Sequence, residues 1–362
     1  MPEVIEYKCP CCGGAVSFNA AGQNLKCPYC DTEFDIDALD KFEKATEAVA
    51  TDDNSDGDSF EGAAERLDEN GMTVYICESC GGEIVTADTT AATSCPFCGN
   101  PTVIPGRLSG DLKPDLVIPF KLDKAAAVSG LGGHLKGKRL LPKVFKTANH
   151  IKEVKGIYVP FWLFDSDADF DLLYKATRVR MWSDSRYDYT ETKFYSVTRV
   201  GAVSFDKVPA DGSANMPDDL MESLEPYDNS AAVDFSTAYL SGFLADRYDV
   251  TSEQCSARVG GRMRATAEQM AYSSVMGYNT VTKAGGTVNL KNGKVRYALY
   301  PVWILNTEWK GQKYTFAMNG QTGKFVGDLP VDKGLFWRWF LGLFASVSAA
   351  VLLLACLFFY LL

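Results

Sequence analysis

Four Cys-x-x-Cys pairs within the first 98 residues constrain this chain more than any other feature. They run Cys9-Pro10-Cys11-Cys12-Gly13-Gly14 and Cys27-Pro28-Tyr29-Cys30, then Cys77-Glu78-Ser79-Cys80-Gly81-Gly82 and Cys95-Pro96-Phe97-Cys98. In each copy 14 residues separate the two pairs, and the copies lie 68 residues apart. Both copies follow the first pair with Gly-Gly and build the second as Cys-Pro-aromatic-Cys, so the segment is an internal repeat. Two knuckles that each present two thiolates make a tetrahedral Zn²⁺ site, and a unit of about 30 residues is too small to fold on its apolar core alone. The expectation is two zinc ribbons, with Cys9, Cys12, Cys27 and Cys30 as ligands of one ion and Cys77, Cys80, Cys95 and Cys98 as ligands of the other. Four thiolates complete each tetrahedron, which makes the two Zn²⁺ ions structural and leaves no position for water or substrate. Cys11 aligns with Ser79 and reads as a bystander beside the metal, with an alternate ligand or redox sensor as its rival reading.

Clustered cysteines, together with a start (Met1 to Glu6) that lacks a basic n-region and an apolar h-region, point to a reducing compartment and no signal peptide. The net charge of −10 is uneven: residues 1–110 hold six Lys/Arg against 20 Asp/Glu. That balance disfavours nucleic acid as a partner, because phosphate contacts need Lys and Arg. Only Lys8 and Lys26 fall in the first ribbon, and none lies between Cys77 and Cys98. Between the copies, residues 40–70 run from Lys41 into the acidic Thr51-Asp52-Asp53 stretch and read as a short helix with a linker.

From about Asp115 the pattern is that of an α+β domain. Short strands are expected at Val117–Phe120, Val159–Phe164 and Tyr300–Leu305, the last two each opened by a proline. Alternation over Tyr189–Val203 reads as antiparallel strands with one wet face. Helices are expected over Lys124–Arg139, Asp218–Leu224 and Thr251–Ser273, the last behind a Thr251/Gln254 capping box. Asn319-Gly320 suits the positive φ of a hairpin turn, and Gly260-Gly261 and Gly285-Gly286 also read as turns. Asp165 to Asp169 has the look of a calcium loop but carries Phe170 and Ala176 where glycine and glutamate belong, and so reads as a solvated turn. Cys255 reads as a helix-packing residue. The only histidines, His134 and His150, read as surface polar groups. No nucleophile elbow, phosphate loop or dinucleotide fingerprint occurs, so no enzyme is expected and no catalytic residue is assigned. Residues 121–155 carry nine Lys/Arg against Asp123 and Glu153, a patch suited to anionic headgroups or to the acidic part of this chain.

The chain ends in 24 residues without a charge, Trp339 to Leu362, which include Cys356. At about 1.5 Å per residue they reach roughly 36 Å, enough to cross a hydrocarbon core of about 30 Å. Lys333 and Arg338 on the N-terminal side place the bulk of the protein in the cytoplasm, with Trp337 and Trp339 at the interface. The expected organisation is multidomain: zinc ribbon 1 at 1–39, linker at 40–70, zinc ribbon 2 at 71–106, an α+β domain with antiparallel strands at 111–332, and a single transmembrane helix at 335–362.

Gly156-Ile157-Tyr158-Val159-Pro160-Phe161-Trp162-Leu163-Phe164-Asp165, Tyr174 to Arg180 and Lys313 to Pro330 resemble segments of a family of bacterial double zinc-ribbon proteins. That family is labelled by the likeness of its ribbons to that of general transcription factor IIB, or as replication-helicase-like. The resemblance covers nearly the whole chain. It extends to the zinc-ribbon membrane protein of a Gram-positive envelope-stress module with SPFH and phage-shock-protein-A-like partners. It implies cytoplasmic ribbons, a membrane anchor and partners of that type, and it brings no catalytic residues. The tail, the ribbons and the acidic linker together lead to the expectation of a membrane-anchored adaptor or scaffold that presents a docking surface for cytosolic proteins. Nucleic-acid binding in transcription or replication is the alternative.

Overall fold

The computed structural model describes residues 6–36, 38, 73–77, 80, 83–96, 98, 100–104, 108, 112–146 and 154–361. The expected linker at 40–70 and His150 lie outside them. The first cysteine module is a three-stranded antiparallel sheet of β1 (Ser17–Asn19), β2 (Asn24–Lys26) and β3 (Glu33–Phe34). The second opens with a hairpin of β4 (Thr73–Ile76) and β5 (Glu83–Thr86). Its other hairpin, β6 (Thr90–Ser94) with β7 (Pro101–Val103), forms one end of a ten-stranded sheet.

That sheet is the body of the molecule. After β8 (Leu116–Val117) and helix α1 (Lys124–Leu135) come two very long strands, β9 (Lys155–Ser183) and β10 (Asp188–Asp211). Then follow α2 (Asp218–Ser223), β11 (Val233–Asp234), β12 (Leu244–Asp246), α3 (Ser252–Ser273), β13 (Thr280–Trp309), β14 (Gln312–Asn319), β15 (Phe325–Gly327) and α4 (Lys333–Leu361). The path β11-β8-β13-β9-β12-β6-β7 runs across the base, β10 pairs with β9, and β14 and β15 continue from β13. At its base β9 is buried on both faces, from Gly156 to Phe161, and there it reads as a continuous apolar run. Further out Leu172, Tyr174 and Ala176 alternate with exposed neighbours, because only one face is covered there.

The short strands expected around Val159 and Tyr300 are therefore the bases of strands of 29 and 30 residues. Their prolines do not open them. Pro160 falls where the neighbour of β9 changes from β12, paired at Ile157 and Tyr158, to β10, paired from Phe161 onward. Pro301 falls where the neighbour of β13 changes from β8, paired at Ala298 and Leu299, to β14, paired from Val302. Both carbonyls point to that edge, accepting from Gly212 N–H and Gly320 N–H at 2.9 Å. A missing donor there interrupts no ladder hydrogen bond.

Four expected turns are also corrected. Asp165 to Asp169 lies inside β9, where both neighbouring strands bulge, and its carboxylates hold those bulges. Asp165 accepts the Lys207 N–H at 2.7 Å, where φ is +52°, and Asp167 accepts Ser204 Oγ at 2.6 Å and Asn292 Nδ2 at 2.9 Å. Gly260-Gly261 lies within α3, and Gly260 turns its bare face to Leu290, so the helix settles closely on the sheet. Gly285-Gly286 sits at a bulge in β13, where Gly286 has φ +111° and a Cβ would strike the Asp171 carbonyl. At the β14–β15 connection the positive φ belongs to Gly323. Asn319 is instead a fully buried hub: its Oδ1 accepts the N–H groups of Gln321 and Thr322, and its Nδ2 donates to the carbonyls of Leu224 and Pro226.

The helices follow expectation more closely. Helix α3 starts at the capping residues, with Thr251 N–H on Gln254 Oε1 at 2.8 Å, and buries Cys255, Val259, Met263, Ala267 and Ala271 at mostly four-residue spacing against β9, β10 and β13. Helix α1 stops at Leu135, four residues short of expectation, because Gly137 takes φ +77°. Helix α4 is apolar and largely exposed, with mean hydropathy 2.5 over its most apolar 18-residue window, and is long enough to span a membrane. Replacing Asn319 with Ala should destabilise the chain by about 1–3 kcal/mol, since it strands two buried carbonyls; urea unfolding in detergent checks this.

Candidate metal centres

Among the described residues three knuckles are tight backbone loops closed on their own cysteine. In the first pair Cys9 N–H donates to Gly14 O and Gly13 N–H to Cys9 O, both at 2.8 Å, with Gly13 at φ +72°. In the second, Cys27 N–H donates to Thr32 O at 2.9 Å and Asp31 N–H to Cys27 O at 3.0 Å, with Asp31 at φ +56°. Cys95 N–H repeats the pattern on Asn100 O at 2.8 Å.

The two signatures of the repeat meet in space. A Cβ on Gly14 would lie 2.4 Å from the Tyr29 ring, so the aromatic of Cys-Pro-Tyr-Cys rests on the second glycine of the opposite knuckle. This contact is why the first module pairs Gly-Gly with Cys-Pro-aromatic-Cys. The counterpart residues Gly82 and Phe97 lie outside the described residues.

The structure brings Cys9, Cys12, Cys27 and Cys30 into one cluster and Cys77, Cys80, Cys95 and Cys98 into another, every sulfur in a cluster within 4.8 Å of the others. Cys9–Cys30 and Cys12–Cys27 are 3.5 Å apart, and Cys77–Cys98 and Cys80–Cys95 are 3.7 Å apart. A tetrahedral ion with bonds of about 2.3 Å to sulfur places its ligands about 3.8 Å apart, so the donor set and its spacing fit one metal ion per cluster. The first cluster also shows why a cation belongs there. The Thr32 hydroxyl, 3.1 Å from Cys30 Sγ, and then the Thr32 N–H pull the Cys30 thiol down to about 6. The Gly14 N–H favours the Cys12 thiolate too, but the sulfurs of Cys27 and Cys30 outweigh it and push Cys12 up to about 12. Four adjacent sulfurs cannot all ionise unless a cation offsets their mutual repulsion.

Cys11 is exposed and falls outside the four-sulfur set. Glu6 has no signal in the sequence. It is buried, with Oε1 3.4 Å from Cys77 Sγ, and accepts from Asn100 Nδ2 at 3.4 Å, so a residue ahead of the first module reaches the second cluster.

The modules are seated on the body. Phe18 N–H donates to Ser241 O at 2.9 Å, the Ser241 hydroxyl returns to Val16 O at 2.5 Å, and Gln23 Nε2 donates to Phe120 O at 2.7 Å. Cys9, Phe18, Leu25 and Cys27 share one apolar cluster with Phe120, Tyr158 and Trp303. The second module enters the sheet through β6, which pairs with β12 at Ala92 and Ala245. Between the first module, β6 and the start of α1 lies a cavity of about 810 Å³ with Lys26, Lys124 and Lys155 on its walls.

No family model and no solved structure matches this chain. Over 352 residues it is 33% identical to an uncharacterized protein, YdjG of Bacillus subtilis (strain 168), a match that covers 97% of this chain and 98% of YdjG. The chain belongs to the YdjG family. The match runs over nearly the full length of both chains, the stretches that hold the cysteine modules and the long strands of this chain included.

Purified chain should contain two equivalents of metal by elemental analysis, and Cys27→Ser should reduce this to one. Structural sites of this kind contribute roughly 10–16 kcal/mol of apparent binding energy. Because Cys27 lies in the core of the body, this variant should also melt well below wild type. Metal should be retained at neutral pH and released as pH falls, since the ligands must be deprotonated to bind; a colorimetric chelator assay follows the release.

Proposed function

We propose that this protein is a membrane-anchored, non-enzymatic adaptor that recruits protein partners to the cytoplasmic face of the cell membrane. The observation that carries this reading is the direct coupling of two closed four-cysteine centres, through one shared core and one sheet, to a body that ends in an exposed apolar helix. The ions are Zn²⁺, the metal best suited to a tetrahedral all-thiolate site without redox chemistry. Complete sulfur coordination supports a structural role: each ion holds a small module in shape and so preserves a docking surface. The cavity beside the first module, with Lys124 and Lys155 on its wall and Lys26 paired to Asp31, supplies a concave part of that surface. Helix α4 acts as a single-pass tail anchor, with Lys333 and Arg338 on the cytoplasmic side. Partners of the SPFH and phage-shock-protein-A type, in an envelope-stress response, follow from the family resemblance of the segments around Gly156 and Lys313.

The test is mild crosslinking in cells, detergent extraction, capture of the full chain and mass spectrometry of what accompanies it. SPFH or phage-shock-type proteins should be recovered, and should be lost from Cys77→Ser/Cys80→Ser. Lys124→Glu/Lys155→Glu should lose them with both metal equivalents retained, which separates docking from folding. Recovery of polymerase or replication proteins with nucleic acid would overturn the adaptor reading. The chain should also stay in the membrane pellet after alkaline carbonate extraction.

A further inference from the structure

The base of the body and the root of α4 meet through residues almost 200 positions apart in the chain. Asp332 N–H donates to Leu140 O at 2.9 Å, and the Arg139 guanidinium lies 4.8 Å over the Trp339 ring, in the second turn of α4. Five residues beyond Leu140, the Phe145 ring lies 6.5 Å from that of Trp309, which ends β13. The adjoining turn has Lys310 at φ +54° and Gly311 at φ +75°, and holds the Lys310 ammonium 4.5 Å over Trp309. The segment 139–145 thus has the root of the apolar helix on one side and a Trp-Lys turn on the other.

The charges gathered at this level are Arg139, Lys310, Lys333 and Arg338, all exposed. Of the acids close by in sequence, Asp332 is taken up in capping α4, its Oδ1 accepting the N–H groups of Gly334 at 2.8 Å and Leu335 at 3.2 Å. Trp309, Trp337 and Trp339 are interspersed with the cations, the residue mixture suited to the boundary between headgroups and acyl chains. Two of the cations sit on tryptophan faces, which holds them at that level while leaving them accessible.

We propose that Arg139 and Lys310 form, with Lys333 and Arg338, a basic collar around the root of α4 that binds the headgroups of anionic phospholipids. This rests on the reading of α4 as a membrane span and adds the lipid class it takes. The collar faces the same bilayer the helix enters, so the helix supplies a high local concentration of headgroups, and each basic residue near the surface then adds its own increment. Because Arg139 and Lys310 belong to the body and not to the helix, lipid binding also fixes how the body stands on the membrane.

The test uses the full chain reconstituted into vesicles of equal parts phosphatidylcholine and phosphatidylglycerol, released in mild detergent and examined by native mass spectrometry for retained lipid. Wild type should retain phosphatidylglycerol preferentially, and Arg139→Ala/Lys310→Ala should reduce that preference on the order of tenfold. Both side chains are exposed, so the variant should keep its two metal equivalents and its resistance to carbonate extraction. Equal retention of the two lipids by wild type, or an undiminished preference in the double variant, would overturn the collar. Release of wild type by carbonate would overturn the membrane span itself, and the collar with it.

Discussion

Every part of this molecule depends on how β9 satisfies its backbone. A strand of 29 residues exposes a donor and an acceptor at each position, and where its faces are buried water cannot serve them. One edge of β9 is paired by β13 from Lys155 to Thr177; the other is paired first by β12 and then by β10. The second arrangement determines the architecture. Because β12 takes only two residues at the base, it can carry β6 and β7 into the sheet there, while β10 takes the outer length and leaves one face for α3. Pro160 and Pro301 mark the changeovers on the two strands, so the missing donors fall where the chain exchanges neighbours.

The cysteine clusters play a different part. Each holds a segment too small to fold unaided, but neither segment is left as a free knob. Phe18 lies 6.4 Å from Phe243, Phe243 stacks on Phe120 at 4.2 Å, and Phe120 meets Trp303 edge-on at 5.1 Å. This aromatic chain leads from the first module into the base of β13. Glu6 ties the start of the described chain to the second cluster. Occupancy of the clusters and folding of the body are thereby coupled.

Much of the candidate site is legible in the sequence because its signals are local. Cys-x-x-Cys spacing sets which sulfurs a single knuckle can present, and the uncharged run after Arg338 is apolar whatever surrounds it. The Thr251/Gln254 cap and the spacing of Cys255, Val259 and Met263 likewise sit within a few turns of helix. Asp165 to Asp169 and Gly285-Gly286 mislead for the opposite reason. Their composition is that of turns, yet their conformation is set by β10 and β13, whose bulges need nearby carboxylates and a residue without Cβ.

The sequence by itself therefore determined the eight clustered sulfurs, their division into two sets, the main helices and the apolar C-terminal segment, all of which are encoded within windows of about 30 residues or fewer. Only the tertiary structure decided that the short apolar strands are bases of long ones, that Asn319 is a buried hub, that Glu6 reaches Cys77, and that Arg139 lies over Trp339. The physical reason is the same in each case. These features arise from pairing and packing between segments tens to hundreds of residues apart, where the partner, and not the local composition, supplies the hydrogen bonds and the buried surface.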